Sequence, residues 1–332
     1  MQKGGNPTVS VIVPMHDVAR YLPDFLTSMA RQSYGDYEIV AWDDGSGDDT
    51  AAICEQAAVE DARIRLFRAE NQGVAGARRS ALAKARGTFI TFADPDDLLD
   101  ATYLERLVRA LTEHGADMAV CRAQNFEDGD EPSLSVQDSM SEEVIGRREA
   151  ASRLCDRFFV DDDHAVRPEL WGKMFTRATM ESMTIPQLRT CSDYPAVTDA
   201  ICASNRIAVV HAPLYCYRMA RAGSLQTKVS QGKLNDIWTV HEYAIGVCRD
   251  LAHVEPVHLY RETVGTVFYI NEKIMASAGT MPLEEVRANY QRYRAHLRAA
   301  GVHRGLNPKG YLKLMLYRGA FAPARWAFDH LG

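Results

Sequence analysis

The chain has 332 residues, of which 46% are hydrophobic and 25% are charged, so it can fold as one large or two ordinary globular domains and is not intrinsically disordered. Its formal net charge of −6 argues against a general nucleic-acid-binding protein, because neutralising phosphates requires a surplus of basic residues. The seven cysteines are scattered singly without a CxxC pair, which predicts reduced thiols and argues against a disulfide framework or a zinc site.

The amino terminus is polar and then enters a short apolar run. That run is too short for a signal peptide, and no stretch reaches the roughly 18 apolar residues that a membrane-spanning helix needs. We therefore expect a soluble, cytoplasmic protein.

The first 120 residues alternate short apolar runs with segments of helical periodicity. Such alternation predicts right-handed crossovers and a mostly parallel sheet covered by helices. The predicted strands are 9–14, 37–42, 64–67, 88–93 and 118–121, and the predicted helices are 22–29, 51–58, 74–85 and 103–111.

Three later regions differ from this pattern. Residues 125–143 are rich in Asp, Glu, Ser, Gly and Pro, which is typical of a connecting acidic loop, and residues 234–297 return to helical spacing. Residues 303–332 carry five Lys or Arg against one Asp, interleaved with Leu and aromatic residues. This last segment is typical either of a basic segment on an anionic membrane surface or of a terminal helix that docks on the core.

Three of the early predicted strands end at polar clusters. These clusters are residues 14–17, 43–46 and 94–97, and ligands of open parallel sheets bind just outside the carboxyl ends of the strands. We therefore expect the clusters to meet in one crevice. The sequence contains neither a P-loop nor a glycine-rich dinucleotide-binding motif after the first strand, so the crevice is not predicted to bind phosphate in those ways.

The third cluster has the composition of a divalent-cation site. A crevice rich in aspartate repels bare phosphate and binds it only through an inserted cation. Asp94 and Asp96 flank a proline that stiffens the turn, and their oxygens suit Mg²⁺ or Mn²⁺ bridging a diphosphate. An isolated DxD more often caps a helix or a turn, and Asp97 is a candidate cap for the helix that follows.

Two groups of segments carry recognisable motifs. The first hundred residues contain VSVIVPMHDVARYL, YEIVAWDDGSGDDT, NQGVAGARRSALAKARG and TFITFADPDDLL, and later residues contain LWGKMF, SDYPAV and PLYCYRMARAGS. In order and spacing, the first group resembles the nucleotide-binding half of family 2 glycosyltransferases with the GT-A fold. The second group resembles the acceptor side of the branch that builds bacterial surface polysaccharides and wall teichoic acids.

The resemblance implies an α/β, doubly wound GT-A domain over residues 1–225, with a donor half 1–122 and an acceptor half 144–225, followed by a helical region 226–332. It implies an inverting transfer of a hexose or N-acetylhexosamine from a UDP-sugar to a hydroxyl of a glycan, polyol-phosphate or lipid-linked acceptor. A non-catalytic sugar-nucleotide-binding module, or a transferase for a peptide or secondary metabolite, remains as the alternative. A peripheral contact with the inner face of the cell membrane would run through residues 303–332.

The resemblance also assigns roles to single residues. Asp193 falls at the position of the catalytic base, and Asp96 falls at that of the ligand for Mn²⁺ or Mg²⁺. Trp171 is a candidate for the acceptor site or for core packing. The residues expected to bind the nucleotide sugar are Pro14, Asp43 and Asp44 near the base, Asn71, Arg78 and Asp94 near the sugar and phosphates, and Arg218, Arg221 and Ser224 in a loop over the diphosphate.

The sequence departs from the family pattern at several positions. His16 and Asp17 replace a usual Tyr-Asn pair, Arg79 replaces an Asn, and Ser192 replaces a Glu before the expected base. The segment 218–224 is one residue longer than the family pattern. The first two departures bear on donor preference, and the last two bear on catalysis.

Overall fold

The structure is a computed structural model. It describes residues 6–130, 132, 141–160, 164–219, 230–276, 283–299, 306, 312, 314 and 315. The chain divides into two compact units, which we call the sheet unit (residues 1–147, 168–188 and 192–224) and the helical unit (residues 148–167, 189–191 and 225–332).

Four parallel strands form the amino-terminal part of the sheet. β1 (Val9–Met15) pairs in parallel with β2 (Tyr37–Asp43) and with β4 (Phe89–Phe92), and β2 pairs in parallel with β3 (Ile64–Arg68). All seven residues of β1 are buried, as expected for a strand that is covered on both faces. These strands match the sequence-based predictions to within a few residues.

The later strands make the sheet mixed. β8 (Lys173–Thr176) runs antiparallel between β4 and β6 (Met118–Phe126), and β9 (Ile207–Arg218) pairs in parallel with β6. β5 (Leu98–Leu99) and β7 (Glu142–Ile145) pair antiparallel with β9. Over the described residues the strand order is β3-β2-β1-β4-β8-β6-β9-β5, with β7 also on β9, and this arrangement confirms the predicted fold class.

Part of the predicted acidic loop 125–143 is strand instead. β6 continues to Phe126 and β7 begins at Glu142, because both find backbone partners on the long strand β9, which is far away in the sequence. Residues 131 and 133–140 of that loop lie outside the described residues.

Amphipathic helices connect the strands of the sheet unit. In α4, Leu104, Leu107, Val108 and Leu111 repeat at helical spacing and are buried, and the helix ends at Gly115 in the left-handed conformation (φ 55°). The helices of this unit are α1 (Leu22–Ala30), α2 (Thr50–Glu60), α3 (Gly73–Leu82), α4 (Tyr103–His114), α6 (Arg177–Glu181) and α7 (Asp193–Ala203), and α5 (Arg147–Asp156) begins at its boundary.

The helical unit contains α8 (Gln231–Asp250), α9 (Pro256–Ala276) and α10 (Leu283–Ala299), in agreement with the predicted helical periodicity. Residues 148–167 group with these helices because Asp156 pairs with Arg261 and Arg157 pairs with Glu262. The sequence-based domain limits at 225 and 226 remain a prediction.

Only four residues of the basic segment 303–332 are described. Leu306 and Leu314 are buried in the core of the helical unit, whereas Leu312 and Met315 are about half exposed. The remainder of the predicted membrane-binding or docking segment lies outside the described residues.

Among the helices that the structure describes, none combines the length and the apolar character that crossing a membrane requires.

Candidate active site

The acidic turn 94–97 follows β4 and is anchored to β9. Tyr215 Oη accepts a hydrogen bond from the Asp94 N–H (3.1 Å) and donates one to Asp97 Oδ2 (2.7 Å). The Arg218 N–H donates to Asp97 Oδ1 (2.8 Å). The expectation that Asp97 caps the next helix is therefore wrong, since its carboxylate fixes the turn to a strand more than a hundred residues later. Burial, together with the nearby Asp96 and Asp94, raises the pKa of Asp97 well above its usual value.

A buried arginine connects this turn to the expected catalytic base. Arg78 lies in α3, Asp94 lies in the turn, and Asp193 is the first residue of α7. The Arg78 guanidinium hydrogen-bonds Asp193 Oδ1 through Nη1 and lies 3.2 Å from Asp94 Oδ1 through Nη2. Arg78 is only 5% exposed, and among the described residues its Nε has no hydrogen-bond partner. Three of the residues singled out from the sequence thus meet in one partly buried cluster around Arg78.

The electrostatics of this cluster follow from its burial. Burial raises the pKa of Asp94 to about 6, against the opposing effect of Arg78 and with further increases from Asp96 and Asp193. Burial alone would lower the pKa of Arg78, but Asp193 and Asp94 raise it above its usual value. The guanidinium therefore keeps its charge and balances carboxylates that would otherwise repel each other.

Asp193 is held by more than Arg78. The Leu170 N–H donates to Asp193 Oδ2 and the Ser192 hydroxyl donates to Asp193 Oδ1, each at 3.3 Å. Ser192 stands where the family usually has Glu, so a neutral hydrogen-bond donor replaces a second negative charge beside the expected base. The Asp193 side chain stays 19% exposed, which leaves part of it accessible to a substrate.

The carboxyl ends of β1 and β2 carry the expected base-binding residues. Asp44 is buried and accepts hydrogen bonds from the Gln72 and Gly73 N–H groups (3.0 and 2.9 Å) at the start of α3. Gly73 has a φ of 78°, a conformation that favours glycine. The start of α3 is thus fixed to the end of β2, and the same helix carries Arg78.

The neighbours of Asp44 lie at the same strand ends. Asp43 is buried, accepts a hydrogen bond from the Ser46 N–H (3.1 Å) and pairs with Arg68 (3.3 Å). Pro14 is buried in β1 opposite Trp42. Asn71 is exposed, and its Nδ2 lies 3.2 Å from the ring of His16. The structure therefore places the three residues predicted near the base at this edge of the sheet, together with Asn71, which was predicted near the sugar and phosphates.

Arg218 is occupied by contacts within the protein. Its Nε donates to the Asp96 carbonyl (2.7 Å) and its Nη1 donates to Asp128 Oδ1 (2.9 Å). The guanidinium also lies over the rings of Tyr21 and Phe126, at 5.0 and 4.5 Å. Arg218 thus stabilises the acidic turn through the Asp96 carbonyl and the Asp97 carboxylate. Arg221 and Ser224, predicted to lie over the diphosphate with it, fall outside the described residues.

Trp171 packs against two tyrosines of β9. Its indole stacks on Tyr215 and on Tyr217, with ring centroids 4.7 and 5.4 Å apart, and the residue is only 8% exposed. Packing thus takes most of the ring surface that could otherwise stack on a sugar. The same stack supports Tyr215, which holds the acidic turn.

Asp94 and Asp96 are the residues that would hold the implied divalent cation. Their carboxylates are the hard oxygen donors that Mg²⁺ and Mn²⁺ prefer. In the part of the chain that the structure describes, no group of three or more His, Cys, Asp or Glu could hold a metal ion. The donor set fits an ion that takes its other ligands from a diphosphate and water, because Mg²⁺ in such sites is bound through one or two carboxylates.

Arg79 connects α3 to residues 185–187, although the sequence had singled it out only as a departure from the family pattern. Its Nη1 donates to the Ile185 carbonyl (2.8 Å) and its Nη2 donates to Gln187 Oε1 (2.6 Å). Gln187 in turn donates to the Gln72 carbonyl (2.8 Å). The segment just before Asp193 is therefore fastened to α3. Sequence reasoning missed this role because the partners lie more than a hundred residues apart.

Comparison with known proteins gives a family match over part of the chain. The model of glycosyl transferase family 2 matches residues 10–155. Glycosyltransferase GlyA of Streptococcus pneumoniae is 27% identical over 233 residues, which are 70% of this chain but only 32% of GlyA. A Campylobacter jejuni protein named GalNAc(5)-diNAcBac-PP-undecaprenol beta-1,3-glucosyltransferase is 36% identical over 109 residues, or 32% of this chain and 35% of that protein. The chain thus spans about a third of the length of these two relatives.

The solved structures that resemble this one include Staphylococcus aureus TarS, crystallised in complex with UDP-GlcNAc. The TM-score is 0.67 and the sequence identity is 18%, over 98% of this chain and 90% of that one. At 18% sequence identity, this similarity shows that the two proteins share a fold and nothing further. Together with the family match, it confirms the resemblance inferred from the motifs. Residues 10–155 of the chain thus match the model of glycosyl transferase family 2, in a protein with the GT-A fold.

Proposed function

We propose that the chain is an inverting, metal-dependent glycosyltransferase that moves a hexose or an N-acetylhexosamine from a UDP-sugar to a hydroxyl acceptor. The observation that carries this proposal is the buried contact of Arg78 with both Asp94 and Asp193. It joins a carboxylate of the turn expected to bind the donor to the carboxylate expected to activate the acceptor. An enzyme that transfers a sugar between two substrates needs these two groups in one site.

Asp193 is the group that would take the proton. An inverting transfer displaces UDP in line, and an alcohol is too weak a nucleophile until a carboxylate accepts its proton. The hydrogen bonds from Leu170, Ser192 and Arg78 fix both oxygens of Asp193, so the base is oriented before the acceptor binds.

Arg78, together with the metal that the acidic turn would hold, would stabilise the negative charge of the leaving diphosphate. Asp96, with Asp94 beside it, would hold Mn²⁺ or Mg²⁺, which when bound supplies positive charge to the departing diphosphate. Arg78 adds a fixed positive charge between Asp94 and Asp193, close to the point where negative charge develops.

The substrate class is supported by the relatives. TarS was crystallised with UDP-GlcNAc, and the Campylobacter relative is by its name a glucosyltransferase that acts on a PP-undecaprenol-linked glycan. We therefore propose a UDP-sugar donor and a glycan, polyol-phosphate or lipid-linked acceptor of bacterial cell-surface glycan synthesis. The proposal includes the cytoplasmic location expected from the sequence.

The Asp193→Asn variant tests the proposal. The purified chain is mixed with Mn²⁺ and a panel of UDP-sugars, and release of UDP is measured with and without glycan acceptors. We expect turnover to fall by about 100-fold or more in the variant, because removal of a general base costs about 10²–10⁴ in rate. UDP-sugar affinity should change less than about twofold, since the amide keeps the shape of the side chain.

Asp49→Asn is the matched control, because Asp49 is exposed and its side chain makes no capping hydrogen bond. Full turnover by Asp193→Asn would refute the base assignment. UDP-sugar binding by the wild type without UDP release from any donor would instead favour a non-catalytic binding module.

A further inference from the structure

Lys173 is a buried lysine of the sheet unit that has no role in the proposed mechanism. It is the first residue of β8 and only 1% exposed, and its Nζ donates to the Glu169 carbonyl at 2.7 Å and lies 3.5 Å from the Trp171 carbonyl. Lysine is almost never fully buried, because its amine loses hydration and an apolar side chain of similar size packs at less cost. The polar end of Lys173 is therefore expected to serve a purpose.

The Glu169–Leu170 peptide group connects Lys173 to the expected base. Its carbonyl accepts the hydrogen bond from Lys173 Nζ, and its N–H donates to Asp193 Oδ2 at 3.3 Å. This peptide lies outside the described strands and helices, and burial of the Leu170 side chain fixes where the residue lies but not how the peptide plane is turned. The two hydrogen bonds set that orientation, and the donor at the carbonyl strengthens donation by the N–H, because hydrogen bonds in a chain polarise one another.

Asp193 Oδ2 is the oxygen of the expected base that can still accept a proton. Within the described part of the chain, Oδ1 accepts hydrogen bonds from Arg78 and Ser192, whereas Oδ2 accepts one, from the Leu170 N–H. A carboxylate oxygen has about two acceptor positions, so Oδ1 is saturated and Oδ2 keeps one position open. The direction of the Leu170 N–H therefore decides where that open position points.

We propose that Lys173 is a positioning residue, which orients Asp193 Oδ2 toward the acceptor hydroxyl through the Glu169–Leu170 peptide. This inference rests on the proposed function, because it requires that Asp193 takes a proton. Loss of the Nζ contact lets the peptide turn and misplaces the base, while Asp44 and the N–H groups of α3 that bind it are left intact. The consequence is a loss of rate and not of donor affinity.

Steady-state UDP release by the full chain tests the inference, with Mn²⁺ and whichever of UDP-glucose, UDP-galactose, UDP-GlcNAc and UDP-GalNAc the wild type uses best. Lys173→Met keeps the length of the side chain and removes the donor. We expect kcat to fall by about tenfold, because a small misplacement of a reacting group costs rates of this size, with the KM for the UDP-sugar within about twofold of the wild type. Lys173→Gln, whose side chain is one bond shorter, should show the same division between kcat and KM.

A double-mutant cycle separates this role from a general effect on the fold. In an Asp193→Asn background, Lys173→Met should change the remaining rate by less than about twofold, because the base through which it acts is already gone. Lys84→Met is the matched control in the wild-type background, since Lys84 is an exposed residue just after α3.

A normal kcat in Lys173→Met, or the same tenfold loss in the Asp193→Asn background, would overturn the inference and leave the proposed function standing. A parallel loss of UDP affinity in both Lys173 variants, measured by calorimetry, would also overturn it, since Lys173 would then support the whole site. Absence of UDP release by the wild type from every donor would instead refute the proposed function.

Discussion

The aspartates of the turn 94–97 divide into two kinds. Asp97 is buried and is used by Tyr215 and Arg218 to fix the turn, whereas Asp96 is half-buried and receives Arg218 at its backbone carbonyl. Neighbouring residues of the same type thus have separate tasks because their backbones are held differently. Substitution of Asp97 should therefore disturb the position of the turn, whereas substitution of Asp96 should affect binding of the expected metal.

Replacing Asp96 by Ala tests the expected metal site. We expect UDP affinity in the presence of Mn²⁺ to fall to the value measured without metal, because the carboxylate that would hold the ion is gone. Isothermal titration with UDP, with Mn²⁺ and with EDTA, measures the difference. Asp49→Ala should keep the metal-dependent increment. An Asp96→Ala variant that binds UDP with Mn²⁺ as tightly as the wild type would show that the metal is held elsewhere.

At the scale of elements, α3 links the two sides of the site. Its first residues donate to Asp44 at the end of β2, and Arg78 contacts Asp193 further along the same helix. Arg79 fastens the segment 185–187 to this helix. The position of the expected base therefore depends on contacts that do not touch Asp193 itself.

Arg79→Met should lower kcat by about 10- to 100-fold while changing the KM for the UDP-sugar by less than about twofold, since small misplacements of a reacting group cost rates of this size. Steady-state kinetics at saturating acceptor separates the two constants. Gln187→Met should cost less in the Arg79→Met background than in the wild type, because the two side chains share one hydrogen bond.

Arg31→Met is the control for this experiment, since Arg31 is exposed and lies just after α1. An Arg79→Met variant with normal kcat would show that the segment before Asp193 is held without this contact.

At the scale of the whole molecule, buried charges make the stability depend on pH. Burial alone would raise the pKa of Glu262, but Arg157 and His241 lower it to about 2. Glu38 behaves in the same way: burial opposes the shift, and hydrogen bonds from Ser10, Arg86 and Arg65 lower its pKa. Because both folded-state values lie below the unfolded ones, these carboxylates stabilise the fold near neutral pH and lose that effect in acid.

For Glu262 the relevant window runs from the ordinary pKa of 4.5 down to about 2. We expect the free energy of unfolding of the wild type to lose about 3 kcal/mol across this window through Glu262 alone. Urea unfolding at several pH values, followed by circular dichroism, measures this slope. Glu262→Gln should be less stable at pH 7 and should show a shallower decrease in acid. The exposed Glu242→Gln should keep the wild-type slope, and an equal slope in Glu262→Gln would contradict the assignment.

The sequence predicted well those features that depend on neighbouring residues. The strands β1 to β4 and their helices follow from apolar runs and helical spacing within about fifteen residues, and the strand ends gave the polar clusters. The short strands β5 and β7 were missed, because each exists only through pairing with β9.

The candidate site was predictable in its members but not in their contacts. The motifs singled out Arg78, Asp94 and Asp193, yet no local pattern shows that one guanidinium joins two carboxylates 115 and 16 residues away. Likewise, the sequence offers Asp97 as a candidate helix cap, because no local pattern shows its real partners, Tyr215 and Arg218, which are 118 and 121 residues distant. Such pairings are decided by tertiary packing.

The length of α3 carries a consequence for the choice of substrate. Gly73, which donates to Asp44, and Arg78 are five positions apart on one helix, a spacing of roughly 7.5 Å along its axis. A rigid helix of this kind fixes the distance between the strand end that is expected to bind the base and the guanidinium that is expected to face the diphosphate. Under the proposed function, this fixed distance should favour sugars joined to the nucleoside by two phosphates over donors joined by one.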